Sequence, residues 1–392
     1  MPAGFGQDRD EDISMSVEGM ARSLYRNMAT FGDRYRRERL RIPIGEGRSS
    51  QPAVYFLTPD HPEPSGGIRV IYRHVDILNA AGIDAFVLHW RPGFRCSWFD
   101  NATKVTDCVH AKIRQGDLLV VAEIDVDLLS NLPKPLAYVI FNQNSHLTWR
   151  HAPERIACCY RPGSGLIRTV TVSRHNQRML EMAFGEGLVE RIHLSIDGAL
   201  FHPGGRPRTR SIAYMPRRGH ESARQVIEIL RARGSLRDWE LLPLDGLSHA
   251  EVAAYLRTTR IFLAFTQHEG FGLPAAEAMA CGNYVVGNHG FGGSEFFRPE
   301  FSATVESGDV VGFVEAVEAA IASERADPDW CRDRGLVASH FIRSEYSVER
   351  EREEVVRLYT GILQRLQPAS DDKPARNSGT SASAGRTGIE QG

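Results

Sequence analysis

The sequence predicts an α/β fold of two doubly wound parallel-sheet domains facing a central cleft. Three observations lead there: short apolar runs alternate with helical segments, the alternation comes as two successive series, and the second series holds a glycine-rich strand-to-helix turn between two glutamates. The first series is Val54–Leu57, Ala85–Leu88, Leu118–Val121, Ala137–Phe141 and Thr169–Val172. The second is Ser211–Tyr214, Glu240–Leu242, Ile261–Phe265 and Tyr284–Val286. Strands separated by helices pair in parallel and are covered on both faces, which is why these runs lack polar alternation. Ligands of such sheets bind outside the carboxyl ends of the strands, so two of them in tandem direct a ligand to the cleft.

Composition shifts divide the chain. Residues 1–50 form a polar, arginine-rich amino-terminal extension, 51–198 a first domain, 199–344 a second, 345–367 a final helix, and 368–392 a tail whose Ser, Gly, Ala and charge predict disorder. The join falls near Ile196–Gly205. At 392 residues, with 42% hydrophobic and 24% charged, the chain has enough apolar material for two cores. A formal net charge of −2 argues against a bulk electrostatic nucleic-acid binder, so no nucleic acid is expected as partner. Six cysteines with no Cys-x-x-Cys pair and no zinc-like spacing predict a reduced, cytoplasmic protein.

The acidic run Asp8 to Asp12 lacks the basic-then-apolar order of a signal peptide, and no stretch approaches the roughly 18 to 20 apolar residues that cross a bilayer. Within residues 20–41, however, Met20, Leu24, Met28, Phe31 and Tyr35 recur at helical spacing beside Arg22, Arg26, Arg34, Arg36, Arg37, Arg39 and Arg41. A basic amphipathic helix of this kind lies peripherally on anionic lipid at the inner face of a membrane, packs on the first domain, or is a solvated arm.

Chemistry concentrates in residues 266–295. Ile261–Phe265 reads as a buried strand, Gly270 and Gly272 form the following loop, and Pro274 sits where a first helical turn tolerates a missing N–H. Bare backbone there approaches a ligand closely and its unpaired N–H groups face an anion. Glu269 stays at the strand end while Glu277 enters the helix, so the two acids reach different parts of one ligand. That is a site for a sugar attached to a diphosphate. Two further loops carry matching chemistry. Pro59–Tyr72 places Gly66 and Gly67 at a helix start, and Tyr214–His220 places Arg217 and Arg218 at a strand end, where planar cationic forks clamp phosphate. Either loop also reads as ordinary turn chemistry. Phe141–Trp149 ends a strand with Asn142, Gln143, Asn144, Ser145 and His146, which line a crevice or cap the next helix.

The run Glu-Gly-Phe-Gly-Leu-Pro, the following Glu-Ala-Met-Ala-Cys-Gly, the strand Tyr284–Val286 and Gly292-Gly-Ser-Glu295 together resemble the Glu-x7-Glu signature of the retaining nucleotide-sugar glycosyltransferases of the GT-B fold, family 4 type. The last element is one residue shorter than the family's Gly-Gly-x-x-Glu, and Ile196-Asp-Gly stands where the family has Gly-Ile-Asp. The resemblance implies that Glu277 holds the nucleotide's ribose, and that Glu269 with the N–H groups of Gly270, Phe271, Gly272 and Leu273 holds the donor sugar and diphosphate. It further implies that Gly66 and Gly67 face that diphosphate from the first domain and that Arg217–Arg218 take the place of the family's Arg-Lys pair. His146, and after it Asn144, become candidates beside the reacting carbon.

The implied activity is transfer of a hexosyl or deoxyhexosyl unit from a nucleotide-diphosphate sugar to a glycan, lipid-linked or other hydroxyl acceptor, as in polysaccharide biosynthesis, with retention by front-face attack. No cofactor is expected besides the nucleotide-sugar co-substrate, and no metal: Asp125-Val-Asp127 matches the metal motif of a different glycosyltransferase architecture and reads here as a loop acid pair. A nucleotide-sugar epimerase and a non-catalytic GT-B scaffold are the alternatives. A dinucleotide oxidoreductase is disfavoured, since neither glycine turn completes Gly-x-Gly-x-x-Gly.

Overall fold

The computed structural model describes residues 41–132, 136–205, 207–217 and 219–367; the amphipathic segment before Arg41, the tail from 368, and Arg218 lie outside them. The first half contributes β1 (Ile44–Arg48), β2 (Val54–Leu57), β3 (Ala85–His89), β4 (Val105–Asp107), β5 (Ile113–Gln115), β6 (Leu118–Ala122), β7 (Ala137–Asn142), β8 (Leu166–Thr171) and β9 (Val189–Arg191). Seven of these form one parallel sheet in the order β4-β3-β2-β6-β7-β8-β9, and β1 pairs with β5 beside it. The second half contributes β10 (Ser211–Tyr214), β11 (Glu240–Pro243), β12 (Ile261–Ala264), β13 (Tyr284–Gly287) and β14 (Ser302–Thr304), a parallel sheet in the order β11-β10-β12-β13-β14.

Five strands differ from expectation by being present at all: β1, β4, β5, β9 and β14. They are short or polar, and β4, β9 and β14 lie at sheet edges, where one side of the strand needs no apolar cover. β8 starts at Leu166, three residues before the apolar run that announces it, because Leu166 and Arg168 already pair with β7.

Helices cover both faces. In chain order they are α1 (Gly66–Ala80), α2 (Ser145–Thr148), α3 (Pro153–Cys159), α4 (Arg174–Phe184), α5 (His220–Ala232), α6 (His249–Leu256), α7 (Leu273–Ala280), α8 (Val310–Ala326), α9 (Trp330–Glu345) and α10 (Val348–Leu366), with 3-10 helices at Glu123–Asn131 and Gly292–Glu295. One apolar cluster runs through both halves, joining Val54, Ile71 and Phe141 to Phe262, Met279, Ile342 and Tyr359, while a separate cluster fills the outer face of each sheet.

The link between the halves is the carboxyl-terminal helix. Ser347 caps α10, its hydroxyl accepting from Arg350 N at 3.2 Å, so the helix begins beyond the break at Tyr346 rather than at 345. α10 lies against α1, with the Tyr359 ring 5.5 Å from Phe56. Its Glu351 is fully buried and is met by Arg73 Nε at 2.8 Å, His74 Nε2 at 3.2 Å and the Ser195 hydroxyl at 2.5 Å. Burial pushes this carboxyl upward, but the Arg73 charge and the bonds from His74 and Ser195 outweigh it and hold it at about 2.

A folded value below the ordinary carboxylate range means stability that is present above about pH 4.3 and is lost as pH falls toward 2. Glu351→Gln is therefore expected to destabilise the protein by about 3 kcal/mol at pH 7, leaving the Arg73 charge uncompensated, and by clearly less at pH 3. Urea unfolding of both proteins at the two pH values measures this; an equal loss at each would mean the charge of Glu351 contributes nothing.

Candidate active site

The two sheets meet where strand ends from each converge on a cavity of about 600 Å³. Two helix amino termini open onto it from opposite sides. Ser65, Gly66 and Gly67 bring the start of α1 from the first sheet, and Gly272 and Leu273 bring the start of α7 from the second. The first N–H groups of a helix have no partner within it and carry the positive end of its dipole, so the pair makes a cavity suited to an anion with two charged groups. Gly272 sits at φ 95, a conformation that a side chain resists, and Pro274 occupies the first turn of α7.

Of the residues singled out from sequence, Gly66, Gly67, Asn144, Arg217, Glu269, Gly270, Phe271, Gly272 and Leu273 line this cavity. Arg217 stands at its rim, 59% exposed, with its guanidinium 3.0 Å from Asp245. Arg218 is outside the described residues. Glu277 does not line the cavity but lies one helical turn beyond Leu273, 5% exposed, with Oε1 3.1 Å from Arg69 Nη2 and 2.9 Å from His249 Nε2.

Asn144 caps α2, its side chain accepting from His146 N, and also donates across the cleft to the His268 carbonyl at 3.0 Å. Capping and a place at the crevice thus occur in the same side chain. Asp125 and Asp127 fall in the first 3-10 helix, Asp127 Oδ2 lying 3.0 Å from His151 Nδ1. No group of three or more His, Cys, Asp or Glu side chains among the described residues is arranged to hold a metal ion.

His146 is half-buried and away from the cavity wall. Its ring lies 5.4 Å from His175, 4.6 Å from His268 and 5.5 Å from Phe291, and His175 in turn stacks on Phe291 at 5.0 Å. Residues 146 and 175 belong to the first sheet's helices and residues 268 and 291 to the second half, so this ring cluster is a seam across the cleft. Burial first, then the neighbouring imidazoles, holds His146 below the usual histidine range. Phe291 has φ 66 and ψ −54, the only positive φ outside glycine among the described residues, and the Gly292 N–H donates to the Gly290 carbonyl at 2.9 Å. This is a γ-turn of the strained, positive-φ kind. It stands beside Glu269, whose N–H donates to the same Gly290 carbonyl at 2.8 Å.

Two roles at the site escaped the sequence reading, that of Glu295, read there only as the end of the motif, and that of Glu123. Glu295 ties the halves: Arg191 and the Tyr346 hydroxyl, the latter at 2.7 Å, reach its Oε1, and the Arg174 N–H reaches Oε2 at 2.9 Å. Glu123, at the carboxyl end of β6, lines the cavity with 4% exposure, and its Oε2 accepts from Gln143 N at 3.0 Å. Burial pushes its carboxyl up to about 7 against the backbone N–H that stabilises the charge. The signal that would have found it, an acid closing an apolar run at a strand's carboxyl end, is the one that identified Glu269.

Residues 243–333, which span the motif, match the family described as Glycosyl transferases group 1. Among solved structures, the chain resembles sucrose-phosphate synthase of Thermosynechococcus elongatus with TM-score 0.61 and 14% identity, over 80% of this chain and 100% of that one. A glycosyltransferase of Rickettsia africae gives 0.57 at 12% identity over 81% and 99%, and Anabaena HepE in complex with UDP gives 0.57 at 12% over 80% and 100%. Comparison with curated proteins gives no match. The fold is GT-B, and the matched region is a glycosyltransferase domain.

The raised Glu123 carboxyl has a stability consequence of opposite sign to Glu351. Its stabilising neutral form is fully present below the ordinary carboxylate value and lost as pH rises through about 7. Glu123→Gln should be neutral near pH 4.5 and more stable than the parent by on the order of 3 kcal/mol at pH 8.5, read by denaturant unfolding. A gain that does not change with pH would show that Glu123 ionises in the folded protein as it does in the unfolded chain, and that burial does not raise its carboxyl.

Proposed function

We propose that the protein transfers a sugar, with retention and without a metal ion, from a nucleoside diphosphate sugar to a hydroxyl of a glycan or lipid-linked acceptor. The observation that carries this reading is the pair of helix amino termini, one from each sheet, on a single cavity that Glu269 and Arg217 also line. UDP in the Anabaena neighbour, and ADP in a starch synthase IV of Arabidopsis thaliana that matches with TM-score 0.52, support a nucleoside diphosphate as the anion.

In this reading the Gly66–Gly67 and Gly272–Leu273 amides, Arg217 and Arg218 take the charge that develops as the bond between the anomeric carbon and the phosphate oxygen breaks. The acceptor oxygen bonds to the same face of that carbon, and its proton passes to the departing phosphate oxygen. Glu269 and the amides of Gly270 to Leu273 hold the donor sugar, and Glu277 holds the ribose. His146, set back at the ring seam, belongs to the acceptor side. Neutral imidazole suits it to hydrogen-bond sugar hydroxyls.

The spacing of residues 20–41 extends the proposal to peripheral contact with anionic lipid, where basic residues contribute on the order of 1 kcal/mol each. Sedimentation with phosphatidylserine vesicles at low salt should recover the full chain but not one beginning at Gln51; equal recovery removes the membrane from the picture.

The reaction itself is tested with UDP-, ADP-, GDP- and TDP-sugars. Glu269→Ala is expected to lower kcat by 100-fold or more, on the order of 3 kcal/mol, with little change in nucleotide affinity. Glu277→Ala should chiefly raise KM, and EDTA should leave the parental rate intact. Parental kinetics in either variant would overturn the assigned roles, and loss of transfer with EDTA restored by manganese would overturn metal independence.

A further inference from the structure

Arg69 closes the first turn of α1, which offers Gly66 and Gly67 to the cavity, and reaches across the cleft to the second half. Its Nη2 lies 3.1 Å from Glu277 Oε1, and on the other side His249 of α6 brings Nε2 to 2.9 Å from the same oxygen. The Arg69 side chain is 23% exposed and that of Glu277 is 7% exposed. Burial lowers the Arg69 guanidinium from its usual value, and the neighbouring Glu277 opposes that effect. Four residues further along the same helix, and so on the same side of it, Arg73 joins Glu351, so α1 sends one arginine to each of two buried carboxylates in different parts of the fold.

We infer that Arg69 is a positioning residue for nucleotide recognition: by fixing Glu277 through Oε1, it aims Oε2 at the ribose hydroxyls and makes ribose recognition depend on the two domains being together. The inference rests on the proposed contact of Glu277 with ribose. A carboxylate removed from water needs a compensating charge and fixed geometry before it discriminates among hydroxyl donors. α7 supplies neither, since it places Glu277 among Ala275, Ala276, Ala278, Met279 and Ala280, all buried. The two donors that meet Oε1 come from α6 and from the opposite domain. Without Arg69 the carboxylate keeps only His249, a single donor, and is free to turn about its terminal torsion. Arginine is suited to the position because its planar fork holds a carboxylate in one orientation, whereas lysine supplies only the charge.

The test uses the full chain and calorimetric titration with UDP, ADP and GDP and with the 2′,3′-dideoxy counterpart of whichever binds tightest. The parent should prefer the ribonucleotide by roughly 10- to 100-fold, the range of a hydrogen bond to a charged group. In Arg69→Met the ribonucleotide should weaken by about tenfold or more while the dideoxy compound changes by less than threefold, so that the preference largely disappears. Arg69→Lys should recover part of the preference, a graded response that a general loss of packing does not produce, and thermal melts without ligand report whether each variant is folded. A preference in Arg69→Met and Arg69→Lys equal to the parent's, or tighter ribonucleotide binding in Arg69→Met because Arg69 merely fills the ribose site, overturns the inference. A parent that binds ribo- and dideoxynucleotides equally overturns the Glu277 contact itself, and the role of Arg69 falls with it.

Discussion

Everything at the cleft depends on how closely two backbones approach there. A Cβ on Gly270 would overlap the carbonyl oxygen of Gln143, and Gly292 is likewise pressed against the carbonyl of Gly270. Three strand ends, those of β7, β12 and β13, therefore come together with no side chain between them, and the turns that follow β7 and β12 line one cavity. With an alanine at 270 the two helix termini would stand apart, and neither alone would neutralise both charges of a diphosphate. The glycines here matter less for flexibility than for the absence of an atom.

Polar groups then hold that approach in register. Glu295 gathers Arg191, Tyr346 and the amide that begins α4; Asn176 donates to the Gly270 carbonyl at 3.2 Å, and Asn144 to that of His268. These contacts are directional and partly shielded, so they specify a single relative placement where the apolar cluster that crosses both halves would tolerate sliding. Arg69 and Glu277 belong to this set by geometry, with the difference that one of the two is also assigned to ligand.

Much of this was legible in the amino-acid sequence because it is written locally. A strand, a glycine turn and a proline in the first helical turn identify the start of α7 wherever they occur, and Gly66–Gly67 before an amphipathic helix identify α1. Polar edge strands such as β4 and β9 carry no such mark, since their pairing is decided by neighbours far along the chain. The same limit hid Arg69 and Arg191, and the burial of Glu123 that raises its carboxyl. Arg69 reads as one more charge on a helix, and its partner is 208 residues away. Glu123 looks like a solvated acid until β7 buries it. Residue type and spacing report what a segment does by itself, whereas the meaning of a lone charge is set by what folding brings against it.

The strained turn at Phe291 bears on the energy of opening the cleft. Its backbone conformation costs on the order of 1 to 3 kcal/mol, and the rings of His146 and His175 that brace it belong to the other domain. When the halves separate, the bracing is lost and residues 290–292 are free to relax. Part of the contact energy given up at the seam then returns as released strain. In the proposed reaction, that return of strain lowers the cost of opening the cleft to let the nucleotide leave.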